Sequence, residues 1–268
     1  MRDWLRFPRP KIYTPEDARV NKLKKSNVSF NDEEDLAYTE YVIKNTPYQY
    51  GSIMSFDAFI RMYRDNKPYL DEVNTKSGIL AYQHIKAMSN SYLVDKPLVV
   101  PYLDKVIVEG KSAGVSEAGY DIRIKQDVTL YPVTLQNLVI NFLLDSKDKW
   151  WAKLLIKSYG IGEYRKFYAL ASTIEFFNIP NDIMVEVADK SSWAREGLAL
   201  QNTRGEPGWF GNLTLELTNH GTNVIHIKAG MPIAQMVFHK LISPTLRPYK
   251  GKYQNQEDRP VESIYEKP

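Results

Sequence analysis

Two short stretches of the chain gather side chains that could do chemistry. Lys190-Ser191-Ser192-Trp193-Ala194-Arg195 places two cations and two hydroxyls within six residues. Those are the groups that grip a phosphate, with charge from Lys and Arg and short hydrogen bonds from Ser. Farther on, Glu216 lies in the run Leu213-Thr214-Leu215-Glu216-Leu217, where strand alternation turns it to the face opposite the three leucines. If that face lines a pocket, desolvation would suit the carboxylate to general acid–base work near neutral pH. Taken singly, each stretch has a plainer explanation: Ser-Ser before a basic residue is common in surface turns, and a carboxylate on a strand ordinarily faces water.

These residues need a frame, and the sequence supplies two textures. Up to about residue 77, helix-start signals recur at Thr14-Pro15-Glu16-Asp17 and at Asn31-Asp32-Glu33-Glu34, each a capping side chain followed by first-turn acids. Helical spacing of apolar residues predicts one helix over Ser55–Tyr63 and another over Gly78–Met88. From about Leu98 the pattern changes to short β-type runs separated by Gly, Pro and Asn: Leu98–Val100, Val106–Val108, Tyr120–Ile124, Ile183–Val187, Leu213–Leu217, Val224–Ile227 and Ile233–Phe238. Such spacing predicts a mainly β sandwich or barrel. Leu135–Tyr159 interrupts it as a partly helical stretch whose Trp150 and Trp151 read as packing anchors. Arg247–Pro268 reads as a mobile tail.

Composition narrows the chemistry. The 268 residues include no cysteine, so a disulfide framework, a thiol nucleophile and a cysteine-ligated metal are all excluded. With 35 basic against 32 acidic side chains, spread along the chain, no nucleic-acid footprint is visible. The N-terminal Met1–Pro10 lacks an apolar signal core, and the run Leu138–Leu144 is too short to span a bilayer. The chain therefore reads as cytoplasmic, with neither nucleic acid nor membrane as a partner.

Four segments occurring in one order carry more than their separate signals. Ala118-Gly119-Tyr120-Asp121-Ile122-Arg123, Lys190 to Leu198, Glu206-Pro207-Gly208-Trp209-Phe210-Gly211 through Asn219, and Gly230 to Phe238 together resemble the dCTP deaminase branch of the dUTPase-like superfamily. The resemblance runs from about Gly78 to the C-terminus and is strongest from Phe167 to Phe238. It implies a distorted β-barrel or jelly-roll-like body over residues 78–246, with added helices, an N-terminal mostly helical extension over 1–77 and a tail over 247–268 that closes on the nucleotide. It also implies a homotrimer whose active sites are shared between subunits.

Deaminases and dUTPases share most of these motifs, and Glu216 separates them: dUTPases have an apolar residue there and use an Asp in the preceding turn. The resemblance makes Glu216 the group that activates water for attack on C4 of cytosine, with Ser191 and Arg195 holding water, amine and carboxylate in line. Lys190, where many relatives have Arg, and Ser192 are assigned to substrate binding. So are Glu206, toward the sugar 3′-hydroxyl, and Trp209, beside the deoxyribose. The tail Tyr249-Lys250-Gly251-Lys252-Tyr253-Gln254-Asn255-Gln256 contributes Tyr249, Lys252 and Gln256 at the nucleotide and triphosphate. Gln235 joins this set but is expected chiefly to support the fold, as are Gly119 and Asp121.

No protein-bound catalytic metal is expected, since the zinc deaminases need Cys ligands and a His-x-Glu that this chain lacks. Its four histidines read as structural, and Mg2+ is expected only with the substrate triphosphate. The implied reaction is dCTP to dUTP and ammonia, supplying dUTP for dTMP synthesis, with dTTP as an inhibitor. The alternatives are a dUTP diphosphatase, a bifunctional enzyme that makes dUMP, and a non-catalytic nucleotide- or partner-binding protein.

Overall fold

The computed structural model describes residues 32–45 and 54–265. The expected helix start at Thr14 and the last three residues of the tail lie outside them. Helix α1 (Asp32–Asn45) packs on α2 (Phe56–Thr75), which Ser55 caps by accepting a hydrogen bond from the Ala58 N–H at 3.3 Å. Between them Tyr38, Tyr41, Phe56, Phe59 and Ile60 form a small aromatic core of their own. Helix α2 runs a dozen residues beyond the expected Tyr63 and passes through Pro68. Val73 near its end is drawn into the main core, while Lys67 and Asp71 pair at 2.7 Å on the wet side. Gly78 and Ile79 do not begin a helix, as their apolar spacing suggests. They form β1 (Gly78–Ile79) on β12 (Pro232–Lys240), and α3 (Tyr82–Met88) starts only afterwards. A free sheet edge outcompetes a helical turn at this point.

Strand β12 is the hub of a six-stranded antiparallel sheet. One edge carries β8 (Ile183–Asp189), the other β5 (Gly119–Arg123) and then β1, with β4 (Lys111–Ser116) and β3 (Val106–Val108) beyond β5. A second sheet runs β2 (Val99–Val100), β7 (Tyr168–Asn178), β10 (Phe210–Asn219), β9 (Leu198–Leu200). A third pairs β6 (Val128–Leu130) with β11 (Ile225–Ile227). The architecture is mainly β with added helices, and none of the three sheets closes on itself. Fully buried Tyr120, Ile122, Phe177, Leu215, Leu217, Ile233 and Phe238 hold the sheets face to face.

Between β6 and β7 the partly helical stretch resolves into α4 (Leu135–Asp145) and α5 (Trp150–Tyr159). Trp151 stacks on Phe142, their ring centroids 6.0 Å apart, whereas Trp150 is largely exposed among the described residues. Among the described residues no helix is long and apolar enough to cross a membrane.

Strand β7 is irregular where it matters for β10. Asn212 pairs with Phe176 and Thr214 with Ser172, so β7 spends extra residues, Thr173 to Glu175, against a two-residue step of β10. The bulge has its own hydrogen bonds: Asn212 donates to the Thr173 and Glu175 carbonyls at 3.2 and 3.1 Å, and the Leu213 N–H donates to Thr173 Oγ1 at 2.9 Å. Glu175, wholly buried, is held by the Arg123 N–H at 2.9 Å and Arg123 Nε at 2.6 Å. Burial pushes its carboxyl above the ordinary range, and Arg123 opposes that shift.

Candidate active site

The bulge corrects the simple alternation expected of the leucines. Leu215 and Leu217 enter the core, but Leu213 joins Thr214 and Glu216 in lining a cleft of about 520 Å³. Glu216 is half-buried there, opposite Leu170 of β7. Tyr168, two residues along β7, shares the cleft; burial and then the Glu216 charge push its phenol up. On the other side lies the connection from β9 to the turn, with Asn202, Thr203, Arg204, Gly205 and Glu206. The turn is closed by the Trp209 N–H donating to the Glu206 carbonyl at 3.1 Å. Trp209 is buried at the edge of the cleft, its indole N–H donating to the Tyr253 carbonyl at 2.7 Å.

The C-terminal segment forms the remaining wall. Far from hanging free, it is pinned to β10 by both backbone and side chains. The Asn212 N–H donates to the Gln256 carbonyl at 3.0 Å, and the Thr214 N–H and Oγ1 donate to Gln256 Oε1 at 3.2 and 3.1 Å. Thr214 Oγ1 in turn accepts from the Val261 N–H at 3.1 Å. The approach is close enough to require glycine: Gly211 has φ +144°, and a Cβ there would meet the Gln256 nitrogen at 2.6 Å. Tyr249 and Gln256 therefore line the cleft, while Lys252 lies outside it, over the Tyr253 ring at 5.4 Å.

The residues expected to grip phosphate lie elsewhere. Lys190 precedes a single helical turn, α6 (Ser191–Ala194), at the end of β8. Its ammonium points inward, 2.8 Å from Asp121 Oδ2 and 3.0 Å from Ser112 Oγ, and Ser112 donates to the same carboxylate oxygen at 2.8 Å. Gln235 adds hydrogen bonds to Ser116 Oγ at 3.1 Å and Asp121 Oδ1 at 3.5 Å. Gly119 lets β5 approach this side chain, since a Cβ would sit 3.1 Å from Gln235 Cγ. Ser191 and Arg195 are exposed, and Ser192 Oγ is buried without a hydrogen-bond partner among the described residues. Neither Ser191 nor Arg195 lines the cleft that holds Glu216.

One chain thus brings together Glu216, Glu206, Trp209, Tyr249 and Gln256, and separately Lys190, Ser191, Ser192, Arg195 and Gln235. Sequence reasoning missed Asn202 and Arg204, the latter the cation lining the cleft among the described residues. Their place within four residues of Glu206 was the available signal. Among the described residues, no group of three or more His, Cys, Asp or Glu could hold a metal ion.

Residues 101–241 match the family described as dCTP deaminase-like, just over half of the chain. The dCTP deaminase of Campylobacter curvus is 32% identical over 184 residues, 67% of this chain and 95% of the relative. A dUMP-forming dCTP deaminase of Sulfurihydrogenibium sp. is 30% identical over 179 residues, 65% of this chain and 92% of the relative. Among solved structures, 2′-deoxycytidine 5′-triphosphate deaminase from Agrobacterium tumefaciens aligns at 20% identity and TM-score 0.38, over 61% of this chain and 48% of that one. With more than half of its length matched to that family, the chain belongs to the dCTP deaminase-like family.

Proposed function

We propose that the protein hydrolyses dCTP to dUTP and ammonia, with Glu216 as general base and then general acid. The observation that carries this reading is the place of Glu216 in the cleft, with Glu206, Trp209 and the tail residues Tyr249 and Gln256 around it. Water adds to C4 as Glu216 takes its proton and delivers it to N3. A second proton from the attacking oxygen reaches the amine through the same carboxyl, C4–N breaks, and the C4 carbonyl forms as ammonia leaves. Mg2+ enters with the triphosphate as part of the substrate. The dUTP so formed would serve dTMP synthesis, and a thymine nucleotide such as dTTP would compete for the same cleft.

Ser191 and Arg195 complete this site in our reading by arriving from a second copy in a homotrimer. Their separation from Glu216 within one chain supports that arrangement. Lys190, tied to Asp121, would shape the turn that presents them. Incubation of purified protein with dCTP, followed by assay of ammonia, dUTP, dUMP and pyrophosphate, tests the proposal. Ammonia with dUTP supports it, whereas no ammonia refutes it and leaves a dUTP diphosphatase or a binding protein. Ammonia with dUMP and pyrophosphate would support a bifunctional enzyme, the second reading favoured by the dUMP-forming relative.

A further inference from the structure

We propose that Asn202 is a positioning residue that fixes the backbone carrying Glu216. This rests on the reading of Glu216 as the acid–base group and extends it to the means by which the carboxylate is held.

Strand β9 pairs with β10 only as far as Leu200 opposite Leu217, so β10 passes beside the cleft without a full partner strand on that edge. One backbone bond continues the ladder, from the Gln201 N–H to the Glu216 carbonyl at 3.0 Å. Beyond it the Asn202 side chain takes over. Its Oδ1 accepts from the Glu216 N–H at 3.1 Å, and its Nδ2 donates to the Thr214 carbonyl at 2.7 Å. A primary amide carries an acceptor and donors on one planar group, which lets it stand in for a strand here.

The two backbone groups it bridges flank Leu215, whose side chain is wholly buried. The clamp therefore fixes the orientation of the next residue, the one that presents its carboxylate to the cleft. It also joins that residue to the tail, because Thr214 is where Gln256 and Val261 dock. Asn202 is half-buried and lines the cleft, so water can satisfy the same backbone groups when the amide is removed. Loss of the clamp costs geometry more than stability.

The test uses the full chain and compares Asn202→Leu, Asn202→Asp and Glu216→Gln for kcat and KM with dCTP, for Tm and for the pH dependence of kcat. Asn202→Leu lowers kcat roughly 10- to 100-fold, the cost of about 1 Å of misplacement, with KM within about threefold. Its Tm stays close to that of the parent. Asn202→Asp keeps the acceptor and loses the donor. Its rate falls between the two, and its added charge moves the acidic limb of the kcat profile to higher pH. Unchanged kcat in Asn202→Leu overturns the inference, as does a rise in KM alone, which would make Asn202 a substrate contact. Should Asn202→Leu fail to fold, a full-rate Asn202→Asp with an unmoved profile overturns it equally. Glu216→Gln separates the two levels. If it stays active, the functional reading fails; if it is inactive while Asn202→Leu is unimpaired, only the positioning role fails.

Discussion

The cleft beside β10 and the turn after β8 differ in what their polar groups face. At the cleft, Glu216, Glu206 and Arg204 turn outward to shared space, and the hydrogen bonds that organise the wall come from backbone, Asn202 and Gln256. At the turn, Lys190 is spent on Asp121 and Ser112, leaving Ser191 and Arg195 exposed and outside the Glu216 cleft. The first region is a cleft that Ser191 and Arg195 do not line; the second holds those two residues at the surface. The contrast is what the proposed sharing of a site between copies has to bridge.

Substitutions should separate the halves by what they damage. The largest effect is expected at the cleft: Glu216→Gln lowers kcat for dCTP by about 10²- to 10⁴-fold, the range for removal of a general acid–base group, with little change in Tm. A Tm loss matching the rate loss would break the distinction. At the turn the damage is to stability, because Lys190→Met leaves Asp121 buried and uncompensated at a cost of about 3–5 kcal/mol. Denaturant unfolding checks this, and an unchanged midpoint would mean that Lys190 is free to serve a phosphate instead.

A smaller effect sharpens the description of the cleft wall. Gly211→Ala puts a methyl group against the Gln256 backbone and strains a positive φ, which costs about 1–3 kcal/mol. The tail should become sensitive to limited proteolysis and KM for dCTP should rise; a protected tail with unchanged KM would contradict the docking.

The smallest concerns Glu175 beneath the bulge. Its carboxyl titrates above the ordinary value of 4.5 in the folded protein, so the folded state favours the protonated form. Its contribution to stability is complete below 4.5 and is lost as pH rises through the higher folded value. Relative to Glu175→Gln, which mimics the neutral form, the parent should lose Tm as pH climbs through that window. A difference that stays flat or grows in the parent's favour would remove desolvation as the dominant cause.

Much of this arrangement can be read from residue order. Runs rich in Val, Ile and Leu announced β3, β8, β10, β11 and β12, since branched side chains at period two suit a half-buried sheet. Strand β4 escaped notice because Lys111-Ser112-Ala113-Gly114-Val115-Ser116 has little intrinsic strand preference and is made a strand by its neighbours. Family resemblance singled out Glu216, but no local signal reveals that the bulge in β7 sends Leu213 into the cleft. The inward turn of Lys190 and the docking of Gln256 are contacts between residues distant in sequence. The nearness of Asn202 to Glu206 marks it for the cleft, but its clamp on β10 is visible only once β9 is seen to end at Leu200.

The central claim, that each catalytic site joins the Glu216 cleft of one copy to the Arg195 turn of another, is tested most directly by complementation. Glu216→Gln and Arg195→Ala, each inactive alone, are unfolded, mixed in equal amounts, refolded together and assayed for ammonia release from dCTP. Sites built across adjacent subunits predict recovery of about a quarter of the parental activity, because both intact halves then meet at about one interface in four. Activity that remains at the sum of the two inactive variants would contradict the account and place both residues in the site of a single chain.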